Sequence, residues 1–314
     1  MFGTYLKQIR GELGLTQAEL AAKLNLSDEE FLSLDVVTLS RWEREKTKPH
    51  LSKCIRVLRC LKTDLSEFFD MLPNPRDHEL FDDVSRVRFN SHLSKISSSG
   101  YNVAEQANHC KFVERPLLLN DNDEMWDNLK LFYDQLGYTP QHLLGINLFE
   151  YQKKGKAAGK KFVSRTDEQI LGHSISFIFP FDYFKRTIEG KTFSLDLSHS
   201  IPYKENTKLA GFNYDRYSST FEVFKCVFTS QVKNLIKHTN IHRYYYFSAL
   251  DTIDPFFEKL GFERIAVDVE SKFGGVKLGN KRFERCLYGI DSDKFISRPE
   301  IITLLKTVHW EKDY

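Results

Sequence analysis

Thr16 and Glu19 stand three residues apart just after Gly14, and no other local feature restricts the N-terminal part of the chain as much. A threonine hydroxyl accepting from the glutamate amide, with the carboxylate reaching back, satisfies two orphan donors of a helix start, so a helix begins anew at Thr16. Before the glycine, Leu6, Ile9 and Leu13 recur at helical spacing and predict a first helix. Leu20, Ala21 and Leu24 carry the second. Asp35 is a good N-cap for a third, in which Leu39 and Trp42 face inward while Val36, Val37, Ser40, Arg41 and Arg44 turn mostly outward. Pro49 stops it. Leu51, Ile55, Leu58 and Leu61 then predict a fourth helix, and Leu65, Phe68 and Phe69 a short fifth.

Charge is polarised along these helices. Residues 41–62 hold eight Lys or Arg against two Glu, whereas residues 12–35 hold six acids and one lysine. The whole chain has a formal charge of only +2, so any binding to nucleic acid must use a local patch.

The runs LTQAELAAKLN and VTLSRWEREKTKP resemble the repressor-type (xenobiotic-response-element) helix-turn-helix domain over about residues 4–70. That resemblance implies that the helix of residues 36–44 enters the major groove with Val36, Val37, Thr38, Ser40, Arg41 and Arg44. It also implies that Gln17 touches a phosphate and that Lys46 and Lys48 hold the backbone. Arg41 could fork onto guanine, and the valine methyls could pack on thymine. Two departures stand out: Glu45 replaces the usual glycine, and SDEEFLSL is inserted ahead of the recognition helix. Double-stranded DNA is the partner the resemblance implies, and because one small domain reaches few base pairs alone, a palindromic operator read by a homodimer is expected.

Between Pro73 and Cys110 the composition turns polar and serine-rich, which reads as a linker over 73–110 that separates a helix-turn-helix domain (1–72) from the rest. LFDDVSRVRF within it could form a short helix or strand. Beyond it helices and strands alternate. MWDNLKLFYDQLG reads as a helix, HSISFIFPF and TFSLDLSHSI as strands, and residues 221–237 as a helix followed by a strand in HRYYYFSAL. Asp254 is expected to cap a helix that has Pro255 at its first position and ends at Gly261; ERIAVDVESKF and FERCLYGID read as a closing pair of strands. The fold class is multidomain: an all-α five-helix domain, then an α+β domain with a central mixed sheet (111–295), then a C-terminal helix (296–314).

This order, with PFFEKLGFERI, resembles the second half of the GNAT N-acetyltransferase fold, most closely over residues 220–290. The resemblance implies an acyl-CoA region at Arg216, Ser219, Thr220 and Phe221, where the family has a glycine-rich R/Q-x-x-G-x-G/A turn. It also implies a general acid at the position of Phe257. RYSSTF lacks the glycines that let backbone N–H groups reach a pyrophosphate, and phenylalanine has no proton to give. A catalytically inactive domain that senses a small molecule, with acetyl-CoA or a related acyl thioester as one candidate, is therefore expected. No catalytic residue is assigned; Asp196, His199 and Glu222 read as ordinary surface.

Other chemistry is thinly supported. GKAAGKK lacks phosphate-loop spacing and reads as a solvated basic turn, and His173, His199, His238 and His242 lack metal-ligand spacing, so no metal is assigned. In the run of Tyr244, Tyr245, Tyr246 and Phe247, alternate rings face opposite sides of a sheet, one in the core and the other lining a pocket or meeting a packed helix. The five cysteines are odd in number and never form a CxxC, so they read as reduced, mostly buried thiols. No run of eighteen apolar residues and no secretory pattern occurs, which reads as cytoplasmic. Three functions are open: a repressor with a sensing or dimerising domain, an active N-acyltransferase with a regulatory helix-turn-helix, and the DNA-binding component of a defence or toxin-antitoxin module.

Overall fold

A computed structural model describes residues 1–74, 80–84, 89, 111–135, 141–189, 193, 195–204, 206–249, 253–272 and 275–312. Helices α1 (Phe2–Glu12), α2 (Gln17–Ser27), α3 (Val36–Glu43), α4 (Leu51–Cys60) and α5 (Leu65–Met71) form the N-terminal domain. The capping box at Thr16 is complete: the Glu19 amide donates to the threonine hydroxyl at 3.2 Å and the Thr16 amide to the Glu19 carboxylate at 2.8 Å. Leu13 departs from expectation. It is the residue after α1 and is 42% exposed, because the chain has already turned toward Gly14, whose φ is 66°. α1 meets α3 so closely at Gly3 that a Cβ there would lie 2.0 Å from the Trp42 carbonyl oxygen. The inserted SDEEFLSL forms a 3-10 turn (Glu29–Phe31) capped by Asp28 and anchored by the fully buried Phe31.

The second domain is built on a sheet of eight strands: β1 (Phe112–Pro116), β2 (Ala157–Ser164), β3 (Ile170–Pro180), β4 (Leu209–Ser218), β5 (Ile241–Ser248), β6 (Glu263–Val267), β9 (Cys286–Asp291) and β10 (Glu311–Lys312). A separate hairpin joins β7 (Val276–Leu278) and β8 (Lys281–Phe283). The order is β10-β1-β2-β3-β4-β5-β9-β6, with β1–β10 and β4–β5 parallel and the other neighbours antiparallel. The helices are α6 (Leu80–Val84), α7 (Met125–Gln135), α8 (Gln141–Leu144), α9 (Leu148–Lys153), α10 (Phe181–Ile188), α11 (Phe221–Lys237), α12 (Asp254–Leu260), α13 (Ser292–Ile296) and α14 (Pro299–Thr307).

α11 is the crossover that the parallel pair β4–β5 requires, and its apolar side, including Val223, Phe224, Val227 and Phe228, is buried. Pairing of β4 with β5 ends at Asn213–Tyr246, although β4 runs on to Ser218 and β5 to Ser248. The register of β3 against β4 shifts between Ile175 and Ser176, opposite this same point. The two parallel strands therefore part, and what lies between them is decided by side chains.

Both faces of β5 are covered by packed elements. Tyr246 stacks on Phe228 of α11 at 6.3 Å, and Tyr245 lies 4.4 Å from Phe184 of α10, so the second face meets a helix and not an open pocket. Within the expected linker, α6 docks its Phe81 against Phe228 and Phe256 at 6.1 and 5.6 Å. All of SHLSKISSSG lies outside the described residues.

Three local expectations are corrected. TFSLDLSHSI is no strand among its described residues, because Asp196 caps a 3-10 turn (Leu197–His199) by accepting from the Ser198 amide. Asp254 does not cap α12 but is its first residue, and its carboxylate accepts from Tyr288 and pairs with Arg264 at 3.2 Å. GKAAGKK is mostly strand β2, and Lys161, instead of being solvated, is buried in a 2.7 Å ion pair with Asp123.

Candidate functional site

Asp35 starts α3 by accepting from the Thr38 amide at 2.7 Å, which leaves Thr38 and Ser40 half-buried and sets Leu39 and Trp42 inward. Val36 and Val37 are 41% and 54% exposed at the front of the helix. Glu43, the acid on this helix, is turned inward. Arg10 donates to it from Nε at 2.6 Å, and Gln17 from Nε2 at 2.7 Å. Burial alone would raise the Glu43 carboxyl, but the hydrogen bonds from Arg10 and Gln17 outweigh it and hold it below the usual range. The effect is to join α1, α2 and α3 and to remove negative charge from the outer face. Gln17, expected at a phosphate, thus has its side-chain amide engaged with Glu43.

Beyond α3, Glu45 adopts φ 55°, the left-handed conformation that glycine takes without strain. A non-glycine residue there costs roughly 1–2 kcal/mol, and an ion pair from its carboxylate to the Met1 amino group offsets part of it. The turn that the glycine would make is kept.

The basic run of residues 41–62 divides into two surfaces. Arg41, Arg44, Lys46 and Lys48 are exposed, and among the described residues no carboxylate lies within ion-pair distance of any of them. Arg56, Arg59 and Lys62 instead face the second domain. Arg56 pairs with Asp293 at 3.0 Å, Arg59 donates to the carbonyl oxygens of Leu235 (3.4 Å) and Ile241, and Lys62 donates to Asn206. α14 adds Lys306, which reaches the carbonyl oxygens of Asp70 and Leu72. The helix-turn-helix domain is seated on the sheet domain through these contacts.

In the second domain Arg216 is no part of a turn. It lies on β4, past the last β4–β5 pair, and its guanidinium sits 4.8 Å from the ring centroid of Tyr246 and 5.4 to 5.6 Å from those of Phe257, Phe224 and Phe228. Nη1 is buried without a hydrogen-bond partner. An aromatic box of this kind stabilises a desolvated cation. Phe257 is fully buried and stacks on Tyr288 at 4.8 Å.

At the start of α11 the Ser219 amide donates to the Leu171 carbonyl at 2.8 Å, and the Val223 amide to the Thr220 hydroxyl at 3.3 Å. Phe221 stacks on Phe224 at 6.3 Å and lies 6.0 Å from Phe89. Two of the amides at this helix start, those of Ser219 and Val223, are thus engaged within the protein. Asp196, His199 and Glu222 are exposed in local ion pairs, Asp196 with His199 at 3.3 Å and Glu222 with Lys225 at 2.8 Å.

One cluster was invisible in the linear sequence. His173 on β3 lies 3.3 Å from Asp215 on β4, and Tyr133 on α7 donates to the same carboxylate at 2.7 Å. Burial would raise Asp215, but the bonds from His173 and Tyr133 hold it below the usual carboxylate range. Local spacing carries no trace of it because three elements supply one residue each.

Fold and site together define a helix-turn-helix domain joined to an α+β domain with a mixed central sheet. Residues 6–68 match the helix-turn-helix family. No curated protein matches the chain. Among solved structures, a probable acetyltransferase from Staphylococcus epidermidis is 13% identical over 57% of this chain and 98% of its own, with a TM-score of 0.34. The ribosomal-protein-S5-alanine acetyltransferase from Vibrio fischeri is 13% identical over 69% of this chain and 88% of its own, with a TM-score of 0.29. Likenesses of this size decide neither fold nor activity. The order strand, α11, strand, α12 and closing strands is the one that the resemblance to the GNAT fold implies. Among the described residues, no helix is long and apolar enough to cross a membrane.

Proposed function

We propose that the chain is a sequence-specific DNA-binding transcription regulator, a repressor acting as a homodimer, whose α+β domain senses a ligand and does not transfer acetyl groups. The observation that carries the reading is the sorting of charge on and after α3: Glu43 is buried against Arg10, while Arg41, Arg44, Lys46 and Lys48 stand exposed with no carboxylate within ion-pair distance among the described residues. Of the two acids on and just after α3, Glu43 is hidden and Glu45 is engaged by the Met1 amino group, so the exposed charge of this stretch is mainly positive. Phosphate contacts give affinity and register, and the outward side chains of α3 read the groove. Against acetyl transfer stand the boxed Arg216, the engaged amides at Ser219 and Val223, and the buried ring of Phe257. The acyltransferase alternative draws support from one place, the Asp215–His173 pair, a carboxylate beside an imidazole, residue types used in acid–base chemistry.

Selection of the full-length protein on random double-stranded DNA tests the reading. Enrichment of a palindrome with half-sites one helical turn apart, about 10 base pairs, is expected. Recovery of no preferred sequence would remove the regulator reading.

A further inference from the structure

A cleft of about 290 Å³ lies where the two domains meet. Its walls are the end of α2, the outer side of α4, the segment leading into β4, the α11–β5 turn and α13. Four cationic side chains line it, Arg56, Arg59, Lys62 and Lys208, against two carboxylates, Asp28 and Asp293. Both acids are directed at Arg56, at 3.7 and 3.0 Å. Among the described residues no carboxylate lies within ion-pair distance of Arg59, Lys62 or Lys208, and the Lys208 ammonium sits 4.8 Å above the ring of Phe181. Arg59 is 7% exposed, so part of this positive charge is withdrawn from water. His242 reports the same field: burial, then Lys208 and Arg59, push its ring down to about 4, with Asp28 opposing and Arg56 adding to the shift. Asn206, Thr207 and Asn240 supply neutral polar groups around the charges.

From this lining we propose that the interdomain cleft binds a small multivalent oxyanion, phosphate or carboxylate in chemistry, which bridges the helix-turn-helix domain and the sheet domain and so sets DNA affinity. Arg59 and Lys62 come from the DNA-binding side, Lys208 and His242 from the other, and an anion held by both sides favours the docked arrangement. An effector changes DNA affinity only by binding two arrangements unequally, and a cleft made of both domains exists in one arrangement alone. The volume is at the lower end of small-molecule sites, about 300 Å³, which suits a small anion. The effector role rests on the regulator reading above, whereas anion binding does not.

The test uses the full-length protein at constant ionic strength, titrated with inorganic pyrophosphate and, separately, with citrate, by calorimetry. Saturable binding of either at one per chain is expected, weakened about tenfold by Lys208→Gln or Lys62→Gln and retained by Lys208→Arg. Both lysines are exposed, so these variants keep the fold. Binding of neither anion, or binding indifferent to the glutamine variants, overturns the proposal. Fluorescence anisotropy on a selected DNA site supplies the second readout: the anion that binds shifts DNA affinity in the wild type and not in the double glutamine variant. An unchanged DNA affinity overturns the effector role. A loss of DNA affinity in the variants without any anion shows a DNA contact instead and overturns it too. If the protein selects no DNA yet binds the anion in a lysine-dependent way, the regulator reading fails and the cleft stands.

Discussion

Arg59 of α4 crosses from the helix-turn-helix domain to donate to the main-chain oxygen of Ile241, the first residue of β5. A second N–H of the same guanidinium reaches Leu235 near the end of α11, where carbonyl groups lack partners within the helix. A side chain that would otherwise count toward the DNA-facing charge is therefore used to hold the two domains together.

Arg59→Ala leaves these two carbonyl groups without their donor. A stability loss of about 1–3 kcal/mol is expected, with the two domains unfolding less cooperatively in urea when followed by tryptophan fluorescence and by far-ultraviolet dichroism. Burial already pushes the Arg59 guanidinium down to about 10, so part of its bonding offsets desolvation. Coincident transitions at the wild-type midpoint would show that the contact contributes nothing.

On DNA, Arg41→Ala is expected to cost about 1–3 kcal/mol on the selected site and to relax base choice, because a bidentate arginine reads one base pair. Lys48→Ala, past the end of α3, is expected to weaken selected and random DNA alike and to lower the salt slope by about 1. Equal losses on both DNAs for both variants would take base reading away from Arg41.

Acetyl-CoA titrated by calorimetry is expected to show no micromolar binding, and no CoA release with polyamines, aminoglycosides or lysine peptides. Micromolar binding together with turnover on any amine would establish the enzyme, and Asp215→Asn would then be the first variant to assay. Binding without turnover would make the acyl thioester the sensed ligand.

His242 makes stability depend on pH. Its folded value of about 4 lies below the ordinary histidine range, about 6.5, because of burial and the nearby Lys208 and Arg59. Between those two values the unfolded chain binds a proton that the folded chain does not, so stability falls as pH drops from about 6.5 toward 4. His242→Gln is expected to flatten that part of the urea-midpoint profile against pH. An unchanged slope would assign the acid sensitivity to other groups.

Several local signals in the linear sequence already determined the outcome, although TFSLDLSHSI, Asp254 and GKAAGKK did not follow theirs. The capping box at Thr16, the Asp35 cap and the inward Leu39 and Trp42 are set by residues within four positions of each other, and the helices form where those rules put them. The same holds for α11 and for Gly261, which ends α12 at φ 88°. The basic run of residues 41–62 could be counted but not divided, because which side of α4 meets water depends on the sheet domain docking there. Arg216 could be placed in a motif but not in space, since its aromatic box draws on Tyr246, Phe257, Phe224 and Phe228 from three other elements. Asp215, His173 and Tyr133 meet for the same reason. Hydrogen bonds and ion pairs between elements depend on distances that only packing sets, so tertiary structure alone decided which charges face outward and which join the two domains.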